Sequence, residues 1–223
     1  LSVDGLIING DLRGREWVAY GESFSQGDLK IVYDRGRYEI GPVRLSKRKG
    51  IILGSMQFNS TTKELGWDVQ SSGIRISDLD RLGTSDLSQA GELAIHSSGR
   101  TNPRSRALKS ETQVHLTGFR LLGRNYGDAH AFARTEDGVL SVAVDGVNGA
   151  VHADYHAEQV RSAGGSVDSP MASFERNRRI NFVANQWDWS PLFAGGNASM
   201  QESRSQLTGS VGLSWLGNHP TLS

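Results

Sequence analysis

Six histidines and a scatter of carboxylates are the residues that could do chemistry in this chain. His152 and His156 stand four apart, with His130 upstream. On a strand, positions four apart share a face but lie far apart along it, so two imidazoles so placed do not converge on one metal ion. No metal site is expected. There is no cysteine, which removes thiolate ligands, thiol nucleophiles and disulfides. No Gly-x-Ser-x-Gly elbow, phosphate loop, His-Glu-x-x-His pair or Gly-x-Gly-x-x-Gly turn occurs. Two carboxylates meeting in the fold would be the one route to a glycosidase. The expectation is a chain without catalytic residues or cofactors, and not an enzyme. Asn59-Ser60-Thr61 and Asn197-Ala198-Ser199 match the glycosylation acceptor pattern, which matters only in a eukaryotic secretory setting.

The elements that would position these groups are strands. Leu29, Ile31 and Tyr33 alternate with Lys30 and Val32; Ile51 and Leu53 alternate, as do Met56 and Phe58. Leu65, Trp67 and Val69, then Ile74 and Ile76, continue the period, and so do Leu93 and Ile95, Val114 and Leu116, Phe119 and Leu121. Leu140, Val142 and Val144, then Val151, Ala153 and Tyr155, Ile180 and Phe182, and Val211, Leu213 and Trp215 complete it. A period of two gives each strand one apolar face. Asp34-Arg35-Gly36, Gly41-Pro42, Glu136-Asp137-Gly138, Asp145-Gly146 and Asn148-Gly149 separate the runs with hairpin chemistry. The fold class is therefore all-β, a long antiparallel meander. Helix signals are few: Ser77 to Gly83, with Ser77 as cap and Gly83 as stop, and Trp189 to Phe193 around Pro191.

Composition narrows the partners. The 223 residues hold 24 Lys+Arg against 24 Asp+Glu, so the balanced charge excludes a strongly electrostatic partner such as duplex nucleic acid. Lys47-Arg48-Lys49 is the basic cluster of note, read as a loop between strands rather than a phosphate contact. Hydrophobic residues make up 37% at ordered spacing, which argues against disorder. No apolar stretch approaches the roughly 18 residues a spanning helix needs. With Leu1 first and Ser223 after a strand-like segment, the chain is expected to be a piece of a larger secreted or periplasmic protein.

The chain also repeats. Gly27-Asp28 to Tyr33, a turn and Tyr38-Glu39-Ile40 recur one hundred residues on as Gly127-Asp128 to Ala133, a turn and Leu140-Ser141-Val142. Gly50 to Met56 is echoed by Gly149 to Tyr155, Leu65 to Val69 by Ile180 to Ala184, and Gly91 to Ile95 by Gly209 to Leu213. The spacing lengthens along the chain, so an insertion is expected near 158–176, where Gly and Ser are dense. Two units follow, 1–90 and 91–223, each several strands with a short helical crossover. Such a unit must curl, pack on a second sheet, or cover its apolar face with ligand.

Three stretches carry a resemblance. Phe119-Arg120-Leu121-Leu122-Gly123-Arg124-Asn125-Tyr126-Gly127-Asp128, Ile76 to Gly83, and Leu207-Thr208-Gly209-Ser210-Val211-Gly212-Leu213-Ser214-Trp215-Leu216-Gly217-Asn218-His219-Pro220 resemble the AsmA-like family, which includes the TamB and YhdP types. The last stretch has Leu216 where the YhdP type has Pro, and one extra residue before Pro220. The resemblance implies a long twisted sheet curled into a groove with a greasy concave face. It further implies a periplasmic segment of an inner-membrane-anchored protein, involved in phospholipid movement to the outer membrane and in envelope integrity. An outer-membrane partner would bind through regions beyond these residues.

A groove conducts lipid by burying acyl chains, each methylene contributing about 0.8 kcal/mol. The lining candidates are Ile31, Tyr33, Ile40, Leu53, Phe58, Trp67, Val69, Leu116, Leu140, Val142, Val144, Phe182, Val211, Leu213 and Trp215. Trp67, Trp187, Trp189 and Trp215 are candidates for the groove rim. The same apolar residues could instead fill the closed core of a β-sandwich. The competing class is a structural or adhesive module, such as a phage tail-fibre or passenger segment. Open sheet edges would favour head-to-tail self-association of such a chain.

Overall fold

The computed structural model describes residues 7–19, 21–80, 89–102, 107–121, 124–161, 174–188, 206–216 and 221–222. The period-two runs become β1 (Ile7–Ala19), β2 (Glu22–Asp34), β3 (Arg37–Lys47), β4 (Gly50–Asn59), β5 (Leu65–Arg75), β6 (Gln89–Asn102), β7 (Ala107–Leu121), β8 (Arg124–Glu136), β9 (Val139–Gly146), β10 (Val151–Arg161), β11 (Phe174–Asp188), β12 (Gln206–Leu216) and the two-residue β13 (Thr221–Leu222). They pair in chain order as one thirteen-stranded sheet, and every pairing is antiparallel. The first and last strands do not meet, so the sheet is open. Among the described residues, substantial packing runs between strands adjacent in the chain and to one short turn beside β6. Among the described residues, no helix is long and apolar enough to cross a membrane.

The hairpins follow their turn chemistry. Arg35 and Gly36 (φ 45° and 83°) and Asp137 and Gly138 (φ 52° and 81°) place both central residues at positive φ. That is the twist sense that lets two-residue turns join strands without splaying them. At the β4–β5 turn the Asn59 side-chain oxygen accepts from the backbone N–H groups of Thr61 and Thr62 at 2.9 and 3.0 Å, an Asx turn. The acceptor pattern at Asn59 thus sits in an ordered turn; Asn197 lies outside the described residues.

Side-chain alternation would lose register over strands this long without correction, and bulges supply it. In β3, Ile40 pairs with Met56 and Val43 with Gly54, so Gly41 and Pro42 together act as one extra step. That step keeps Ile40 and Val43 on one face although they differ in parity. Gly41 is required there: its φ is 146°, and a Cβ on it would lie 2.8 Å from the Ser55 Cβ. Further register shifts fall between Ser71 and Ile74 in β5 and between Ala184 and Trp187 in β11. The segments that echo one another in sequence are β2 and β8, β3 and β9, β4 and β10, β5 and β11, and β6 and β12, each pair six strands apart. The backbone echoes too, with positive φ at Glu16 in β1 and Gly118 in β7, and at Gly73 in β5 and Gln186 in β11.

One expectation is corrected. Where the helix from Ser77 to Gly83 is expected, the described residues form a single 3-10 turn, Ile76–Asp78; Ser77 lies inside it, Leu79 is already extended, and 81–83 lie outside the described residues. The chain then returns to pair β5 with β6 directly, antiparallel, so this connection is no crossover. Within the insertion expected near 158–176, Glu158 to Arg161 pair with Asn177 to Phe174 in the β10–β11 hairpin, and 162–173 lie outside the described residues. The 90/91 division falls inside β6, within the continuous sheet. The helix expected at Trp189 to Phe193 lies outside the described residues.

Candidate functional site

Residues directly opposite in an antiparallel pair share a face, so the register sorts the sheet into two faces. One row runs Tyr33, Tyr38, Phe58, Leu65. Another runs Ile31, Ile40, Met56, Trp67, Gly99, Ser110, Thr135, Leu140, Ala157, Arg178. A third joins Val69, Ser97, Thr112, Ala133, Val142, Tyr155, Ile180 and Leu213. Ile95, Val114, Ala131, Val144, Ala153, Phe182 and Val211 form the next, and Leu93, Leu116 and Ala129 another. Along these regular stretches the face is mostly aliphatic, aromatic or hydroxyl-bearing, with Lys47 and Arg178 among the described side chains that depart from this. The opposite face carries the charges, as in the facing pairs Asp11–Lys30, Asp28–Arg44 and Glu111–Arg134.

The register therefore brings Ile31, Tyr33, Ile40, Phe58, Trp67, Val69, Leu116, Leu140, Val142, Val144, Phe182, Val211 and Leu213 onto one face, and the backbone of Trp215, opposite Arg178, falls in the same phase. Leu53 is the exception. It stands opposite Arg44 and Gln70 on the charged face. The reason is that β4 pairs without any shift from Ile51 to Phe58, so Phe58 and Leu53, of opposite parity, must point opposite ways. The strand faces also recruit residues that sequence reasoning left out of the lining, among them Val43, Leu45, Ile52 and Met56. The Gly41-Pro42 dipeptide was the available signal for Val43 and Leu45, because a Gly-Pro step inside an alternating run marks a bulge.

This face is not sealed. The buried apolar side chains among the described residues are only Phe24, Ile74, Ile76, Ala157 and Ala184, and no large side chain is fully buried. Val144 is 37% exposed, Met56 37% and Val211 55%. Trp67 lies flat over the strand beside it: a Cβ on Gly99 would come within 2.5 Å of the indole. Its Nε1 donates to the Ser97 hydroxyl at 3.3 Å, which is linked to Thr112 Oγ1 at 2.9 Å. Trp187 sits at the β11 end opposite Leu207, edge-on to Phe182 at 6.3 Å.

Among the described side chains two cations fall on this face along its regular stretches, Lys47 and Arg178, and they differ in partners; the backbone register puts Arg161 and Arg176 in the same phase. Lys47, 5% exposed, lies 2.6 Å from Glu22 Oε2 and 3.0 Å from Asp80 Oδ2. Burial alone would lower its pKa, but the hydrogen bonds and charges of Glu22 and Asp80 outweigh this and raise it above 10.5. Asp80 accepts from the Ser23 N–H at 2.6 Å; that bond, with Lys47, holds its carboxyl down to about 2. The Asp80 N–H donates to Glu22 at 2.9 Å, and Arg48 reaches the buried Asp78 at 2.8 Å. The basic cluster at 47–49 is thus partly consumed in a latch that fastens the segment 76–80 to β2 and β3. Arg178 has no such partner, and its Nε is buried without an acceptor.

On the charged face His115, His130, Asp145 and His152 fall in one cross-strand row. The rings of His115 and His130 stack at 4.3 Å, and His152 Nδ1 lies 2.7 Å from Asp145 Oδ1. No group of three or more such side chains among the described residues is placed to hold a metal ion. Lys109 and Arg134 hydrogen-bond Glu136 and hold its carboxyl below the usual carboxylate range.

These features define a class: the described residues form a single-layer, open, antiparallel sheet with one charged face and one apolar face that they leave uncovered. Comparison with family models, curated proteins and solved structures returns no match to the chain.

Proposed function

We propose that this chain is a non-enzymatic, lipid-binding segment of a conducting β-groove. It would serve phospholipid transport between the inner and outer membranes, and envelope integrity, from the periplasm. The observation that supports this reading is the apolar face that runs across the sheet with no second layer upon it among the described residues. An apolar surface spanning many strands marks a site for an apolar partner. Open twisted sheets beyond about ten strands tend to curl, and the bulges at Gly41 and Gly73 add local bend. Curling would turn the face into a trough that shields acyl chains while headgroups stay wet. Hydroxyls such as Ser97 and Thr112 satisfy one another within the face, so they do not oppose an apolar occupant. The resemblance to the AsmA-like family points the same way.

The test is direct. The protein is purified from bacteria, extracted with organic solvent, and its lipids identified by mass spectrometry. Photo-crosslinking residues are placed at Phe58 and Val142, on the apolar face, and at Lys30 and Glu39, on the charged one. Phospholipid in the extract, with crosslinks only from the first pair, is the expected result. An empty extract with no crosslink from either pair would sink the reading and favour an adhesive or fibre module.

A further inference from the structure

Arg178 interrupts the apolar face, and no described residue supplies an anion to it. It stands opposite Ala157, which is 6% exposed, and is flanked in β11 by Ile180 on the same face. Its Nε is buried with no hydrogen-bond acceptor, and it makes no ion pair with any described residue. The side chain is half-buried, and a guanidinium nitrogen held out of water without an acceptor is costly unless an anion meets it. Lys47 is the control within the molecule, because there the fold provides two carboxylates. We infer that Arg178 is a headgroup anchor: it binds the anionic oxygens, carboxylate or phosphate, of an amphiphile whose acyl chain lies along the apolar face. The inference rests on the lipid reading above and adds a charge preference to it.

Position and shape support the assignment. Tyr155, Ile180 and Leu213 lie on the same face, two positions from the Arg178 row, so a chain leaving the headgroup meets apolar side chains at once. A planar fork of donors matches a carboxylate or phosphate in two-point fashion. Arg179, next in the chain, pairs with His156 and Ser214 on the charged face and gives a like-charged comparison that should not touch the lipid.

The experiment uses the whole chain and probes matched in their tails. Binding of oleate is compared with oleyl alcohol, and dioleoyl phosphatidic acid with dioleoylglycerol, for wild type, Arg178→Met, Arg178→Lys and Arg179→Met. Wild type should prefer the anionic member by about tenfold, as one charge-assisted hydrogen bond implies. Arg178→Met should bind both members equally, Arg178→Lys should keep part of the preference, and Arg179→Met should keep all of it. A preference confined to the oleate pair assigns the site to free fatty acid; one in the phosphatidic acid pair assigns it to phospholipid. A preference that survives in Arg178→Met, or is absent from wild type while both members bind, overturns the anchor and leaves the groove standing. If no probe binds wild type, the groove reading fails and the anchor with it. Circular dichroism of each variant separates loss of preference from loss of fold.

Discussion

The end of the sheet around Lys47 and the broad stretch from β8 to β12 share the same alternation but treat their apolar face differently. At the first, the segment 76–80 reaches back to β2 and β3: Ile74 and Ile76 are buried, and Lys47, Glu22, Asp80, Arg48 and Asp78 join in ion pairs. At the second, Val144 and Val211 stay open and Arg178 stays unpaired. Covered apolar surface stabilises the fold, whereas uncovered surface stabilises nothing until a partner arrives. The two regions should therefore respond in opposite ways to substitution, one in stability and the other in binding.

The largest effect should come from the covered end. Ile74→Ala removes a side chain that packs against Gly50 and should cost about 3 kcal/mol in urea unfolding. Val211→Ala, on the bare stretch, should cost about 0.5 kcal/mol yet weaken lipid crosslinking at Val142. Equal losses of stability at the two sites would erase the distinction. Lys47→Met comes next. It leaves Glu22 and Asp80 facing each other without their cation, and about 2 kcal/mol should be lost; an unchanged midpoint would show that the latch holds nothing.

Much of this division was legible in the residues. Ile31 with Tyr33, and Val142 with Val144, announce one apolar face through parity alone, and Asp137-Gly138 announces its turn. Leu53 was misassigned because parity had to be carried across a whole strand, and only pairing shows that β4 runs without a shift. Ser77 looked like a helix cap, but Asp78 and Asp80 are held by Arg48, Lys47 and Ser23, partners up to 57 residues away. Such distant contacts override local helix preference. The unpaired state of Arg178 was invisible for the same reason: a lone Arg in an alternating strand gives no sign of what its neighbours will be.

The smallest effect sharpens the comparison through pH. Asp80 has a folded pKa near 2, below the roughly 3.9 of an unfolded aspartate. A depressed carboxylate contributes stability that is fully present above its unfolded pKa and lost as pH falls through the folded one. Asp80→Asn should therefore lower the melting temperature modestly and evenly at pH 5 to 7. The gap to wild type should then close between about pH 4 and pH 2, where wild type also loses the charge. Lys47 acts at the other end, since its raised pKa gives stability present below about 10.4 and lost only as pH rises past its folded value. Lipid binding at the bare stretch has neither group in contact with it, so it should not follow the Asp80 titration. Binding that weakened between pH 4 and pH 2 in wild type but not in Asp80→Asn would mean that the latch and the open face are one coupled unit rather than two regions with separate tasks.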